Sequence, residues 1–182
     1  MFFLWLLPAI FIVHDFEEIL TVENWLGANR MKLQCLAERF PLIRFSLGAL
    51  DVTQKQFTGA VMVEFVIICA VTALCFFIPQ SPEIMFVYIC FNAALLVHVF
   101  THAAQSLFLK SYTPGVVTAV VVLIPGCIII FRYLLNAGSA DMATLYMSAP
   151  FGAILILPIV FGSLYIGKKL LKKDQSYHGA IR

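Results

Sequence analysis

Long apolar stretches separated by short polar breaks form the main pattern along this chain. Five such stretches occur, and each is long enough to cross about 30 Å of hydrocarbon at about 1.5 Å per residue. Turn-forming residues separate the later stretches at positions 79–82, 112–115 and 136–139. The pattern therefore predicts an all-α protein, a five-helix transmembrane bundle. The predicted spans are residues 2–25, 56–78, 83–109, 114–135 and 146–167.

Composition agrees with this prediction. The chain has 182 residues, of which 62% are hydrophobic and 12% charged, whereas a soluble domain has about a quarter charged residues. We expect one membrane domain over residues 1–167, followed by a basic tail over 168–182. The first stretch lacks a basic leading region and a small-residue cleavage site, so we interpret it as a retained span and not a signal peptide. The net charge of only +2 gives no reason to expect a nucleic-acid partner. The sequence does not indicate an oligomeric state.

The basic residues predict an orientation. Eleven of the twelve Lys and Arg residues fall in the first connection, directly after the third span or in the tail, and Arg132 alone falls on the other side. Because basic residues accumulate on the cytoplasmic side, the N-terminus should lie outside and the C-terminus in the cytoplasm.

The first connection is itself patterned. Residues 28–50 mix apolar side chains at helical spacing with basic ones, which is typical of a helix lying in the membrane interface. A plain cytoplasmic helical hairpin fits the same pattern.

Ionisable residues interrupt the first span. His14 has Glu17 and Glu18 at i+3 and i+4, so both glutamates neighbour the imidazole on a helix. Buried ionisable groups in a membrane cost several kcal/mol unless they are paired or ligated, and nothing about spanning a bilayer requires them. Since the two glutamates diverge by about 100°, one should be a metal ligand and the other a neighbouring partner or general base. We prefer Glu18 as the ligand and Glu17 as the catalytic group.

Two further spans carry matching groups. His98 and His102 form an i, i+4 pair on the third span, a spacing that lets two imidazoles bind one metal ion. Glu64 is the single carboxylate within the second span. Counted from the cytoplasmic ends of their spans, Glu18, Glu64 and His102 all lie about 12–13 Å deep. The three helices thus offer their ionisable groups at one level.

Three interpretations of this constellation stay open: packing residues, a proton or ion pathway, and a metal site. The metal site is favoured, with His14, Glu18, Glu64, His98 and His102 as ligands. Imidazole and carboxylate ligands suit one or two divalent transition metal ions, of which zinc is preferred and iron or manganese are alternatives. Spans four and five offer almost nothing titratable at this depth and are expected to be scaffold.

A family resemblance supports the same residues. The run His14-Asp15-Phe16-Glu17-Glu18 resembles the motif that names the HXXEE-domain family of small bacterial membrane proteins. The resemblance extends to residues on later spans and the turn after the third, namely Glu64, Asn92, His98, His102, Tyr112, Pro114 and Gly115. It implies a functional site at these positions, in a multi-pass protein of the bacterial inner membrane, and it does not name a reaction.

Two functions follow as hypotheses. The first is a metal-dependent membrane enzyme, a hydrolase that acts on a lipid or another apolar substrate at a His/Glu site in the cytoplasmic half of spans one to three. The alternative is a transporter that uses the same polar cluster to move protons or ions. A polar path to the outer face would favour transport, and a cavity closed on that side would favour the enzyme.

Overall fold

The fold consists of long helices joined by short turns. A computed structural model describes residues 2–41 and 52–171, and within these ranges it contains helices and no strand. A short 3₁₀-helix at Phe2–Trp5 precedes five long helices. The helices are α1 at Leu6–Arg39, α2 at Gln54–Phe77, α3 at Pro82–Leu109, α4 at Val116–Asn136 and α5 at Met142–Leu170. The predicted all-α, five-helix architecture is confirmed.

Four of these helices, α2 to α5, are long and apolar enough to cross a membrane, so the chain is a multi-pass membrane protein. The helix α1 contains the predicted first span but differs in composition. Its Asp15, Glu17, Glu18 and Glu23 fall within nine successive positions. The orientation of the termini stays a prediction.

The first helix is longer than its apolar stretch. It continues past Trp25 to Arg39, a total of 34 residues and about 51 Å. The part of the predicted segment 28–50 that the structure describes is thus largely the end of α1, while positions 42–50 lie outside the described residues. Good helix formers follow Gly27, which explains why this single glycine does not end the helix. In the predicted tail, Lys168 and Lys169 belong to the last turn of α5, and positions 172–182 lie outside the described residues.

Side-chain caps set where the later helices begin. Thr53 and Gln56 form a reciprocal capping box at the start of α2. Ser81 caps α3 ahead of Pro82. Asp141 accepts hydrogen bonds from the hydroxyl and backbone N–H of Thr144 at the start of α5, and these bonds lower the pKa of its carboxyl group.

The helix α4 contains a widened turn. Residues Ala119–Leu123 form a π-helix directly before Pro125. A proline ring within an α-helix meets the carbonyl group four residues earlier, which here is Val121. The π-helical turn lies at that position, so Pro125 accounts for this distortion of α4.

Close backbone packing places α5 against α2 and α3. A Cβ atom on Gly167 would meet the backbone oxygen of Gln56, and one on Gly152 would lie 2.5 Å from the backbone oxygen of Cys90. The helices α1 and α2 run antiparallel, as the ring contacts Phe2–Phe76 and Phe11–Phe65 show. This arrangement brings α1, α2, α3 and α5 around a common interior, with the start of α4 against α1.

Candidate metal centre

Four ionisable side chains from α1 and α3 converge on one point. Each of His14, Glu18, His98 and His102 offers one ligand atom, and these four atoms all lie within 4.8 Å of one another. The Oε1 atom of Glu18 lies 3.4 Å from His14 Nε2, 3.6 Å from His98 Nε2 and 3.0 Å from His102 Nε2. We call these four residues the His/Glu cluster.

Helical spacing accounts for the two halves of the cluster. His14 and Glu18 are one turn apart on α1, and His98 and His102 are one turn apart on α3. His14 and His102 are buried, at 1% and 5% relative exposure, whereas the side chain of His98 is 30% exposed. The cluster is therefore an interior site that can be approached from the side of His98.

The unsatisfied atoms of the cluster fit a metal ion. Within the described residues His14 Nε2 and Glu18 Oε1 are buried and have no hydrogen-bond partner, although imidazole nitrogens surround the carboxylate. Ligand atoms around a tetrahedral ion with bonds of about 2.0–2.1 Å lie about 3.3 Å apart, close to the separations between Glu18 and the three histidines. Neutral imidazoles and a carboxylate are also the ligands that zinc, iron and manganese accept.

Hydrogen bonds to the Nδ1 atoms of His14 and His98 assign the tautomers of these two rings. His14 Nδ1 lies 3.0 Å from Thr118 Oγ1, and the hydroxyl proton of Thr118 goes to Glu17 Oε2 at 2.6 Å. Since Thr118 has one proton to donate, His14 Nδ1 must be the donor to it. The Nε2 lone pair of His14 is then left free to face the cluster, as metal-binding histidines require. Thr101 gives its proton to the backbone oxygen of His98 at 2.7 Å, and it can accept one from His98 Nδ1 at 3.3 Å.

Glu17 lies on a different side of α1 from the cluster, and its carboxylate is bound by hydrogen-bond donors from α4 and Tyr112. Its carboxylate accepts hydrogen bonds from the hydroxyl and backbone N–H of Thr118, from the backbone N–H of Val117 and from the Tyr112 hydroxyl. A carboxylate at a helix N-terminus satisfies unpaired backbone donors and interacts favourably with the helix dipole. Glu17 thus joins α1 to the first turn of α4, and we call Glu17, Tyr112 and Thr118 the Glu17 cap.

The turn between α3 and α4 covers the cluster with backbone. Gly115 adopts a left-handed conformation with φ of 81°, and a Cβ atom there would lie 2.6 Å from Glu18 Oε1 and 2.8 Å from His102 Cε1. Only glycine provides both the backbone conformation and the space. The turn-forming break at positions 112–115 of the sequence pattern therefore lies directly against the cluster.

Two side chains of α1 hold the turn in place. Trp25 Nε1 donates to the backbone oxygen of Tyr112 at 2.7 Å, and Lys32 Nζ donates to that of Leu109 at 2.6 Å. Partial burial, together with the neighbouring Glu17 carboxylate, raises the pKa of Tyr112. Its hydroxyl therefore remains a hydrogen-bond donor to Glu17 at neutral pH.

A cavity of about 270 Å³ lies beside the cluster. Glu18, His98 and His102 border it together with Asp15 and Glu64. The rest of its wall is largely apolar and comes from α1, α2, α3 and α5, including Phe11, Val22, Trp25, Phe57, Val61, Leu95, Ile156, Val160 and Leu164.

Glu64 is the predicted ligand that is not part of the four-residue cluster. It accepts a short hydrogen bond from Ser163 of α5 and borders the cavity. It also borders a second, smaller cavity of about 20 Å³, which is otherwise lined by apolar residues such as Phe11, Ile68 and Leu95. Of the five predicted ligands, the structure brings His14, Glu18, His98 and His102 together and places Glu64 on the neighbouring wall.

Several contributions were not foreseen from the sequence. Spans four and five, expected to be scaffold, supply the hydroxyl groups of Thr118 and Ser163. Asp15, which was not among the predicted ligands, is 6% exposed and borders the cavity. Asn92 makes a helix–helix hydrogen bond, from Nδ2 to the backbone oxygen of Cys127 at 3.2 Å.

Comparison with known proteins identifies the family. The model of a family described as a protein of unknown function with HXXEE motif matches residues 5–130, which include the whole cluster, the Glu17 cap and Glu64. The chain therefore belongs to this family. No curated protein and no solved structure matches it.

Proposed function

For this member of the HXXEE family, we propose a membrane-embedded, metal-dependent hydrolase that acts on a lipid or another apolar substrate. The observation that carries the proposal is the convergence of three imidazole nitrogens and one carboxylate oxygen beside a mostly apolar cavity. Two of these four atoms, His14 Nε2 and Glu18 Oε1, have no hydrogen-bond partner. We expect one divalent transition metal ion, with zinc preferred and iron or manganese as alternatives. The expected location is the bacterial inner membrane.

The proposed roles follow the contacts of each residue. His14, Glu18, His98 and His102 would hold the ion, and the bound ion would supply a Lewis acid that polarises a carbonyl group and activates water. Thr118 and Glu17 would keep the His14 ring in its ligating tautomer. We therefore propose a positioning role for Glu17, because four donors already occupy its carboxylate and none of its atoms borders the cavity.

The proton transfer is assigned to Glu64, which we propose as the general base and as a group outside the first ligand sphere. In ester or amide hydrolysis the water oxygen bonds to the carbonyl carbon and its proton passes to Glu64. As the bond to the leaving oxygen or nitrogen breaks, Glu64 returns this proton to the leaving group. Ser163 would orient the Glu64 carboxylate for both steps.

The competing transport hypothesis needs a polar route beyond Glu64. Within the described residues, the small cavity on the other side of Glu64 is lined by apolar side chains alone apart from Glu64 itself. Proton relays in membranes use successive ionisable groups. The apolar surroundings of this second cavity support the enzyme over the transporter.

The test begins with the purified full-length protein in lipid nanodiscs. Elemental analysis should find about one transition metal ion per chain, and ester or amide hydrolysis should disappear on chelation and return with the metal. A folded wild type that binds no metal would contradict the proposal. Metal-independent proton flux in liposomes, without hydrolysis, would support the transporter instead.

A further inference from the structure

The large cavity combines an acidic end with an apolar end. Its lining residues on α1 extend from Phe11 to Leu26, a distance of about 22 Å along the helix axis. Asp15 lies one turn from Phe11 and Glu18 about midway between Phe11 and Leu26, while Glu64 lies near the level of Phe11 because Phe11 contacts Phe65. The opposite part is bordered by Val22, Trp25 and Leu26 with Phe57.

The acidic end has no basic counterpart. Three carboxylates border the cavity, and among its lining residues there is neither a lysine nor an arginine. Glu18 is surrounded by the histidines, and Glu64 has Ser163. Asp15 is only 6% exposed, and no described residue donates a hydrogen bond to it or forms an ion pair with it. The charged form of such a carboxyl group is costly unless a cation or a donor reaches it from outside the protein, and a bound cation would therefore stabilise this form.

From these observations we propose that the cavity binds an amphiphile whose polar end carries an ammonium group, and that Asp15 recognises this group. The proposal names the substrate class of the hydrolase proposed above and rests on it for the reaction alone. The cavity of about 270 Å³ has a mostly apolar wall, which suits the alkyl chain of such an amphiphile.

The spacing on α1 places the ammonium group relative to the cluster. Asp15 and Glu18 are three residues apart, so their Cβ atoms are about 5–6 Å apart on neighbouring parts of the helix surface. An ammonium group that contacts Asp15 would therefore lie within a few bonds of a carbonyl group at the cluster. Anionic amphiphiles such as fatty acids or lipid phosphates would meet Asp15 and Glu64 and be disfavoured by like charge.

Binding can be measured without turnover. Trp25 borders the cavity, and Trp5 is the other tryptophan of the chain. In the Trp5→Phe background, Trp25 fluorescence reports on bromine-labelled alkyl chains that enter, because bromine quenches indole at short range. Three probes of equal length, a bromoalkylamine, a bromoalkanol and a bromoalkanoate, would be compared in nanodiscs of neutral lipid, with the protein as purified and after chelation.

We expect the amine to bind at least about tenfold more tightly than the alcohol, since hydrogen bonds to charged groups are markedly stronger than neutral ones. Asp15→Asn should bring the amine and the alcohol to within about twofold of each other, because it keeps the shape and removes the charge. The control Glu38→Gln removes the same charge from an exposed position on α1 and should leave the preference intact.

The outcomes separate the two proposals. Preference for the alcohol or the alkanoate in chelated wild type would overturn the ammonium proposal, as would an unchanged preference in Asp15→Asn. Saturable amine binding to a protein that is metal-free as purified and takes up no added metal would overturn the hydrolase proposal and leave the ammonium site standing. Because the ranking of probes in wild type is decisive by itself, the test does not depend on the folding of the variant.

Discussion

The two sides of α1 at the level of His14 differ in how their polar atoms are satisfied. On the side of the Glu17 cap, four donors reach one carboxylate. On the side of the His/Glu cluster, three imidazoles surround a second carboxylate whose Oε1 atom makes no hydrogen bond. Adjacent glutamates of one sequence motif thus have opposite environments. The comparison teaches that the motif combines a carboxylate left open within the cluster with a carboxylate that holds α1 to the start of α4.

The largest effect should come from removing a cluster imidazole. His102→Ala deletes one ligand and should weaken metal binding by more than about 100-fold, since loss of a supporting partner alone costs about 10–100-fold. Elemental analysis after dialysis at defined metal concentration measures this. Leu107→Ala, on the same helix and 77% exposed, is the control and should keep its metal. Undiminished metal content in His102→Ala would contradict the cluster as the site.

Substitution by glutamine should affect metal binding differently at Glu17 and Glu18. Glu18→Gln replaces a charged ligand and should lose the metal, whereas Glu17→Gln should keep it at saturating concentration with an affinity lowered by about 10–100-fold. The reason is that Glu17 acts on the cluster through Thr118 and the His14 ring. Metal content and hydrolysis rate would be measured for both variants. Equal metal loss in the two would remove the distinction between the sides and favour a site in which both glutamates are ligands.

Gly115 connects the Glu17 cap with the His/Glu cluster, and Gly138 is the control position. Both Gly115 and Gly138 have positive φ, but a Cβ atom would meet Glu18 and His102 at Gly115 and nothing within 4 Å at Gly138. Gly138→Ala should cost about 1 kcal/mol from backbone strain, and Gly115→Ala about 1–3 kcal/mol more from the steric overlap. Thermal unfolding in nanodiscs and metal affinity would be compared. Similar losses in both variants would mean that the turn does not press on the cluster.

Thr118 tests whether the cap supports the cluster. Thr118→Val keeps the shape and removes the hydroxyl group that links Glu17 to His14 Nδ1. Metal affinity should fall by about tenfold, which is the lower end of the loss expected when a hydrogen-bond partner of a ligand is removed. Thr118→Ser restores the hydroxyl and should recover most of the affinity. If valine and serine variants bind metal equally well, the tautomer of His14 is set by something else.

The smallest effect is expected at Tyr112. Its hydroxyl is one of four donors to Glu17 and lies in an exposed part of the site. Tyr112→Phe should change metal affinity by no more than about threefold, because a single exposed hydrogen bond contributes at the low end of about 0.5–1.5 kcal/mol. A loss of metal affinity as large as that expected for Glu18→Gln would show that the Glu17 cap and the His/Glu cluster cannot be treated as separate regions.

The sequence predicted those parts of this site that depend only on residue spacing within a single helix. The i, i+4 spacing of His14 with Glu18 and of His98 with His102 defines a face without knowledge of the fold. Counting residues from the ends of the spans placed these faces at one depth. The division between Glu17 and Glu18 followed from the angle between successive helix positions, and the structure gives the two residues different surroundings.

The contributions that were missed depend on how helices are rotated about their axes. The helices α4 and α5 are apolar on nearly all sides in the membrane, so no hydrophobic face predicted that Thr118 and Ser163 point inward. The place of Asp15 on the cavity wall was not predicted for the same reason, since its direction depends on where α2 and α5 lie. The widened turn at Ala119–Leu123 and the continuation of α1 to Arg39 likewise required the structure.

The position of α5 after α2 and α3 in the chain has a consequence for biogenesis. Its main contacts are with α2 and α3, and it supplies both a wall of the cavity and the Ser163 partner of Glu64. Because synthesis proceeds from the N-terminus, α2 and α3 enter the membrane before α5 exists. During that interval Glu64 lacks its serine and the cavity lies open to lipid along one side. Insertion of α5 is thus the step that encloses the polar interior, and the close contacts of Gly152 and Gly167 are what allow it to dock.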